Sequence, residues 1–522
     1  MDGMNGARAV LETLADGGVE LCFTNPGTSE MHLVAALDEV PRIRGVLCLF
    51  EGGATGAADG YARMAERPAA TLLHLGPGLG NGLANLHNAR RAGTPVVNIV
   101  GDHASYHKSF DAPLESDIEA AAGTVSRWVR RCGGARDAGQ DTADAIAAAG
   151  STAQATGGVS TLILPADVCW SRGASAAPVP PGQTVGVDVD ALDAAARVLS
   201  REGEHTVVLI GGNLMRRPGL EAASRIAAAT GARILAEETP ARQERGGGIP
   251  LVERLAYLGE KAAVQLAGAR HLVLAGARSP VSFFAYPGQP SDLVPEGCAV
   301  HDLGGAPVAL EELADMVAPG VRPITVPGRR PGLPSGALTA EKTAMIIGAL
   351  LPEGAIVSDE AVTSGRWLPA ATADCPPHDW LTLTGGAIGQ GIPLATGAAI
   401  ACPDRPVINL QADGSAMYTL QALWTQVREG LDVTTVIFSN ASYAILGMEL
   451  GRIGALPSAN GQARSLLDLT GLDFVALAEG MGLPASRAAT ADDLAEHLGK
   501  ALAEPGPHLI EAVVPPPSSF PN

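Results

Sequence analysis

Charge is scarce in this 522-residue chain, and positive charge is the scarcer kind. Charged residues make up 17%, and 36 Lys and Arg against 55 Asp and Glu leave a formal net charge of −19. No Lys/Arg block occurs, so nucleic acid is not an expected partner, because phosphate binding needs a basic face. No uninterrupted apolar run reaches the about 18 residues that a membrane helix needs, so no membrane span is expected. The seven cysteines (22, 48, 132, 169, 298, 375 and 402) are odd in number and form no CxxC pair. That excludes a disulfide framework or a zinc site and suits free buried thiols in a reducing cytoplasm. The first residues, "MDGMNGARAVLETLADGG", form an acidic amphipathic helix pattern. They lack a basic region and a cleavage site, so no signal peptide is expected. There is no short tandem repeat.

What the chain does have is apolar substance, 46% of residues, and a length suited to about three domains of ~150 residues. Strand-like runs alternate with helical patterns throughout, which predicts an α/β fold with parallel, doubly wound sheets. "LCFTN", "GVLCLF", "ATLLHL", "PVVNIVG" and "VSTLILP" fill the first third, and "AIVSD", "PVINLQ", "TTVIFSN" and "HLIEAVV" the last. A smaller middle unit holds "TVVLIGGN", "ARILAE" and "HLVLAGA". "SRGASAAPVPPGQT" (171–184) and "ITVPGRRPGLPSGALT" (324–339) read as linkers. The expected units are therefore 1–175, 186–323 and 339–522.

The most informative stretch is "NLQADGSAMYTLQALWTQ", 409–426. The strand "PVINLQ" precedes it, Ala416, Leu420, Leu423 and Val427 recur at helical spacing, and "VTTVIFSN" is the next strand. Parallel strands joined in this way end at one edge of the sheet, where α/β folds bind ligands. Asp413 and Asn440 are therefore expected at the same edge, as hard oxygen ligands suited to Mg²⁺ held against a diphosphate. Gly414 permits close backbone approach, and Ser415 opens a helix whose N-terminus favours anionic oxygen. Taken singly, each residue is an ordinary turn Asp or strand-end Asn; the joint pattern is the signal.

That pattern resembles the signature of thiamin-diphosphate-dependent enzymes, a GDG followed some thirty residues later by an Asn at a strand end. Ala412 replaces the first Gly and Ser439 precedes Asn440 here, and neither change removes an oxygen ligand. The resemblance implies Mg²⁺ ligands at Asp413, Asn440 and the Ser442 main-chain oxygen, with Tyr443 beside the cofactor. A second motif, "FEGGATGAADGYARM", matches the family's strand–Glu–small-residue helix. It implies that Glu51 hydrogen-bonds the aminopyrimidine ring and drives cofactor activation, a task that suits a buried carboxyl. "LTGGAIGQGIPLATGAAI" (383–400) is similar to the segment holding the aminopyrimidine, with Ile388 wedged between the two rings and the Gly386 backbone on the ring amino group. "SDEAVTSG" (358–365) matches a further cofactor-side loop carrying Thr363 and Ser364. The resemblance covers nearly the whole chain. It implies pyrimidine-binding, middle and diphosphate-binding domains in that order, and a site shared between subunits, so a homodimer or homotetramer.

Two branches of the family compete for the reaction. "NPGTSEMHLVAALDE" and "TLLHLGPGLGNGLANLHNA" resemble the benzoylformate decarboxylase branch, with His74 at the place of an active-site histidine and Thr28 where a Ser contacts the substrate carboxylate. An imidazole there would bind that carboxylate and shuttle protons. The branch's second histidine is replaced by Phe283 in "VSFFAYPGQP". An apolar pocket with one His favours capture by a second carbonyl compound, an aldehyde or keto acid, over simple protonation. The same segments, with "TPVVNIVGDH", also resemble acetolactate synthase large subunits, whose decarboxylating carboligation is the expected activity. His103 and His107 border that edge and read as a solvated loop. "VVLIGGNLMRRPG" leaves open a flavin-binding middle domain like that of acetolactate synthases, but it lacks GxGxxG, so FAD is the less favoured alternative. A catalytically silent, partner-binding paralogue would not be expected to keep Glu51, Asp413 and Asn440 together.

Overall fold

The computed structural model describes residues 3–151, 157–181, 186–455 and 461–516. Three separate sheets organise them, each built mainly of parallel strands with helices on both faces. The first has the order Arg44–Leu47, Leu21–Asn25, Ala69–Leu73, Val96–Asp102, Val159–Pro165, Trp128–Arg131. Its central strand Val96–Asp102 is buried at every position, as an apolar run covered on both faces must be. The second runs Glu253–Arg254, Arg233–Ala236, Thr206–Ile210, His271–Ala275, Ala299–Asp302. The third runs Arg242–Arg245, His378–Thr382, Ile356–Glu360, Val407–Ala412, Val433–Ser439, His508–Val513, Ala485–Ala488. The α/β, doubly wound reading of the sequence therefore holds.

Strand order decides where a crevice can open. In the first sheet, the chain leaves Leu21–Asn25 for one neighbour and returns to the other side at Ala69–Leu73. In the third it does the same between Ile356–Glu360 and Val407–Ala412. Such topological switch points are where loops at the carboxyl ends of strands diverge and leave room for a ligand. The residues placed there are Pro26–Glu30 and His74 in one sheet, and Ala361–Ser364 and Asp413 in the other.

Several local expectations are altered by tertiary contacts. The helix expected after Asp413 is split into Asp413–Ala416 and Ala422–Glu429. Between them Thr419 donates to the Gly389 carbonyl at 2.9 Å, and the Tyr418 side chain packs on Gly389. The apolar run before Glu51 stops as a strand at Leu47, and Glu51 becomes the first residue of the helix Glu51–Ala65. Arg172–Ala174, inside the first expected linker, pairs antiparallel with Met4–Asn5; residues 182–185 of that linker lie outside the described residues. Arg242–Arg245, from the middle of the chain, joins the third sheet as its antiparallel edge. The cysteines are free, five of them buried and Cys298 and Cys402 partly so. Among the described residues no helix is long and apolar enough to cross a membrane.

The first and third sheets meet through two small-residue helices, Glu51–Ala65 and Gly391–Ala401. A Cβ at Gly60 would run into the Leu394 carbonyl oxygen, and one at Gly397 into that of Ala57. Glycine is required at both because backbone touches backbone. Beside this crossing, Arg63 forms a buried two-point pair with Asp59, at 2.8 and 2.7 Å. It also donates to the carbonyls of Ala241 and Thr382 and to the Thr384 hydroxyl. Asp59 in turn accepts from Gln390 Nε2 at 2.6 Å. Removing one partner of such a buried pair leaves an uncompensated charge and typically costs about 3–5 kcal/mol. Arg63→Met should therefore lower unfolding stability on that scale, with denaturant unfolding as the measurement.

Candidate active site

Asp413 begins a one-turn helix at the end of its strand and is buried. One carboxylate oxygen accepts the main-chain N–H groups of Asn440 at 2.9 Å and Ala441 at 2.7 Å, and the other accepts Gly414 N–H at 2.8 Å. Burial pushes its pKa up, while these N–H groups pull it down. The structure thus brings Asp413 and Asn440 to one point, as their parallel strands require. Asn440 uses its amide N–H on Ser364 Oγ at 3.0 Å and its Oδ1 to accept Ser442 N–H at 3.0 Å. The Ser442 carbonyl accepts from Ala444 N–H.

This donor set fits a hard divalent cation. A carbonyl has two lone-pair positions, so Asn440 Oδ1 and Ser442 O, each accepting one N–H, keep one free, and Asp413 supplies the anionic oxygens. Among the described residues no group of three or more His, Cys, Asp or Glu could hold a metal ion, so a thiolate or imidazole site is not built here. The Tyr443 ring lies on Gly414, where a Cβ would strike it. Ser415 Oγ accepts from Gln411 Nε2 at 2.8 Å. Thr363 is partly buried at the start of the short helix Ser364–Trp367.

The loop 384–390 carries the other residues expected at the cofactor, and Glu360, at the end of a neighbouring strand, accepts its Gly389 N–H. Gly386 has φ +74°, and a Cβ there would lie 2.6 Å from the Phe283 ring. Phe283 is half exposed and packs with Tyr257 and Phe284 at ring-centroid distances of 5.1 and 4.9 Å. Ile388 is partly buried on the same loop. The helix Leu75–Ala92 anchors the loop: Asn88 donates to Ala387 O at 2.7 Å, and Asn85 bridges Gly52 O and Gly389 O at 2.8 and 3.1 Å. Asn81, on the same helical face, donates to Glu51 Oε2 at 3.0 Å. Glu51 is buried, as expected of it. Glu51 and Asp413 share no hydrogen-bond partner among the described residues.

His74 caps the helix Leu75–Ala92 at the first switch point. Its Nδ1 lies 2.8 Å from Glu30 Oε2, which also accepts Gly27 N–H at 2.9 Å. With Glu30 ionised the carboxylate can only accept, which puts the Nδ1 proton on His74 and leaves Nε2 for a ligand. Glu30 is fully buried; burial pushes its carboxyl up and His74 pulls it down. Close packing dictates the neighbours, since a Cβ at Gly27 would strike the His74 ring and one at Gly101 the Glu30 carboxyl. Thr28 is exposed on this loop. His103 and His107 lie after the adjacent strand with rings 5.4 Å apart, His107 exposed.

Backbone strain gathers at the same places. Of the non-glycine residues with positive φ, Leu75 (+49°) follows His74, Val362 (+48°) precedes Thr363, and Ala441 (+56°) follows Asn440. Such conformations cost on the order of 1–3 kcal/mol each and persist where the surroundings over-determine them. Glu30 and the Asn81–Asn85–Asn88 face were not singled out from the sequence. The i, i+4, i+7 spacing of the three asparagines was the available signal, a polar stripe on a helix rich in glycine, leucine and alanine.

Known proteins resemble this chain in both sequence and fold. Residues 4–122 match the model of the thiamine pyrophosphate enzyme N-terminal TPP binding domain, and 361–512 that of the C-terminal TPP binding domain. A Mycobacterium tuberculosis protein provisionally named acetolactate synthase large subunit IlvX is 63% identical over 517 residues, covering 98% of this chain and 99% of that one. Benzoylformate decarboxylase of Pseudomonas aeruginosa is 29% identical over 542 residues, covering 96% and 97%. In fold, the chain is similar to the thiamine diphosphate-dependent 4-hydroxybenzoylformate decarboxylase of Rhodococcus jostii RHA1 (TM-score 0.86, 23% identity, 99% of this chain and 100% of that one). The chain belongs to the thiamine pyrophosphate enzyme family, and is related within it to acetolactate synthases and benzoylformate decarboxylases.

Proposed function

We propose that this enzyme uses thiamin diphosphate with Mg²⁺ to break and form the C–C bond beside the carbonyl of a 2-keto acid. Decarboxylating carboligation of the acetolactate synthase type is its main outcome. Asp413, Asn440 and Ser442 O would hold the metal, and Thr363, Ser364, Gly414 and Ser415 would flank the diphosphate. Gly386 O, Ile388 and Tyr443 would contact the rings. When bound, the cofactor supplies a carbon nucleophile for the keto carbonyl and a sink for the electrons of the bond that breaks. Glu51, buried and held by Asn81, would share a proton with the aminopyrimidine nitrogen. His74, with Nδ1 tied to Glu30, would present Nε2 to the substrate carboxylate, with the Thr28 hydroxyl beside it.

The observation that carries the ligation reading is Phe283. Its ring lies over Gly386 where the decarboxylase branch has its second histidine, so the pocket wall is aromatic and donates no proton. Plain decarboxylation is the second reading, favoured by the His74–Glu30 pair. Exposed apolar side chains at Leu49, Val362, Met417, Tyr418 and Leu446 flank the two halves of the site, which supports completion by a second copy in a homodimer or homotetramer. Flavin is not part of the proposal. At the switch point of the middle sheet the Glu237 carboxylate accepts Gly212 N–H at 2.8 Å, where a nucleotide phosphate would need the same donor. Burial raises the Glu237 pKa to about 7. A cytoplasmic location is proposed from the free cysteines.

Incubation with a panel of 2-keto acids, with and without aldehyde acceptors, tests the proposal. Ligated products and CO₂ that depend on thiamin diphosphate support it; aldehyde alone selects decarboxylation, and no turnover selects a silent paralogue. Asp413→Ala should weaken Mg²⁺-dependent binding of thiamin diphosphate roughly ten-fold or more, read by calorimetry, without unfolding the chain. Glu51→Gln is nearly isosteric and should still bind cofactor, but hydrogen–deuterium exchange at C2 should collapse. Exchange within a few-fold of wild type would remove Glu51 from activation. His74→Ala should slow CO₂ release by about 10²–10⁴-fold with cofactor affinity retained, and full turnover would overturn its role.

A further inference from the structure

Glu360 is a buried carboxylate that nothing in the proposed chemistry uses. It ends the strand Ile356–Glu360 at the second switch point and is 2% exposed. Among the described residues no Lys, Arg or His pairs with it. Instead Oε1 accepts Gly389 N–H at 2.7 Å and Gln390 N–H at 3.4 Å, and Oε2 accepts Gly391 N–H at 2.6 Å. Gln411 Nε2 donates to the same Oε2 at 2.8 Å and to Ser415 Oγ at 2.8 Å. Burial pushes the carboxyl pKa up, against the Gln411, Gly391, Gly389 and Gln390 donors that lower it.

These bonds add side-chain links between the loops that follow His378–Thr382 and Val407–Ala412, the two strands flanking Ile356–Glu360, in which Glu360 and Gln411 are ladder partners. Three consecutive N–H groups fix the end of the loop carrying Gly386 and Ile388, and Gln411 carries the constraint to Ser415, two residues past Asp413. Gly391 has no room for a Cβ, which would strike Gln411 Oε1 and come within 2.9 Å of the Glu360 Cβ. A carboxylate serving only to cap the helix Gly391–Ala401 would not need the Gln411–Ser415 link. We infer that Glu360 is a positioning residue that, through Gln411 and Ser415, sets the spacing between the loop for the cofactor's pyrimidine and the loop for its diphosphate. This rests on the proposed cofactor reading.

The test compares a ligand that spans both loops with one that touches only one. Thiamin diphosphate and inorganic pyrophosphate are titrated, each with Mg²⁺, into wild type, Glu360→Gln and Gln411→Met. In Glu360→Gln an amide N–H group must oppose a main-chain donor, and in Gln411→Met the link to Ser415 is cut while the three loop bonds remain. Both variants should lose roughly ten-fold or more in thiamin diphosphate affinity, yet keep pyrophosphate affinity within about two-fold. Thiamin diphosphate affinity within about two-fold of wild type, or a parallel loss for both ligands, overturns the inference. Should Glu360→Gln not fold, Gln411→Met decides by the same criteria. Wild type that binds no thiamin diphosphate refutes the cofactor reading itself, before any variant is compared.

Discussion

The buried Arg63–Asp59 pair is the constraint from which the rest of the site's geometry follows. It sits on the helix that begins with Glu51, and it grips the segment Thr382–Gln390 through Thr382 O, the Thr384 hydroxyl and Gln390. A 15-residue helix is a rigid rod of about 22 Å. Fastening its far end to that segment therefore fixes where Glu51 stands relative to Gly386 and Ile388. The glycines at 60 and 397 serve the same end by letting the two helices touch through their backbones. Charge burial of this kind is costly unless every donor and acceptor is met, and here the Arg63 guanidinium has two carboxylate oxygens, two carbonyls and a hydroxyl.

Around the strand ends that form the switch points, several carboxyl groups are held by main-chain N–H donors rather than by a paired Lys or Arg. Asp413, Glu360 and Glu237 accept main-chain N–H groups at strand ends, and Glu30 combines one such bond with His74. An amide donor is fixed in place by the fold, so it orients a carboxylate without a flexible side chain to order. This suits a chain so poor in basic residues. The cost appears in the backbone, as the left-handed conformations at Leu75, Val362 and Ala441, and it falls beside the residues being aimed.

Much of this was legible in sequence because period and position carry it. Uninterrupted apolar runs between helical patterns announced parallel sheets, and the strand-end positions of Asp413 and Asn440 followed from parallel geometry. What was not legible depends on contacts across long stretches of chain. The helix after Asp413 has helical periodicity, but Thr419 and Tyr418 are drawn to Gly389 and break it. Glu30 looks like a helix-start carboxylate until Gly101 opens the space that turns it toward His74. Glu360 lies within the quoted loop "SDEAVTSG", yet nothing local says that its partners are 30 and 51 residues away. The three asparagines were visible, but a polar stripe does not name what it will bind.

The edge strand Arg242–Arg245 has a consequence for how the molecule is made. Its partner strand is His378–Thr382, and Arg242 and Asp379 stand 137 residues apart in the chain. During synthesis the middle sheet can close once Ala299–Asp302 is made, while this strand waits, unpaired, for the chain to be extended to Thr382. An exposed, unsatisfied strand is a template for wrong pairing between nascent chains. The waiting segment reads Arg-Gln-Glu-Arg, a strand too polar to recruit a hydrophobic neighbour, and it becomes buried only when Trp380 arrives beneath Arg245, 5.0 Å from the indole centre. The polarity of this one edge offers a stray chain little apolar surface to grip, and once paired the strand sews the middle of the chain to its last sheet.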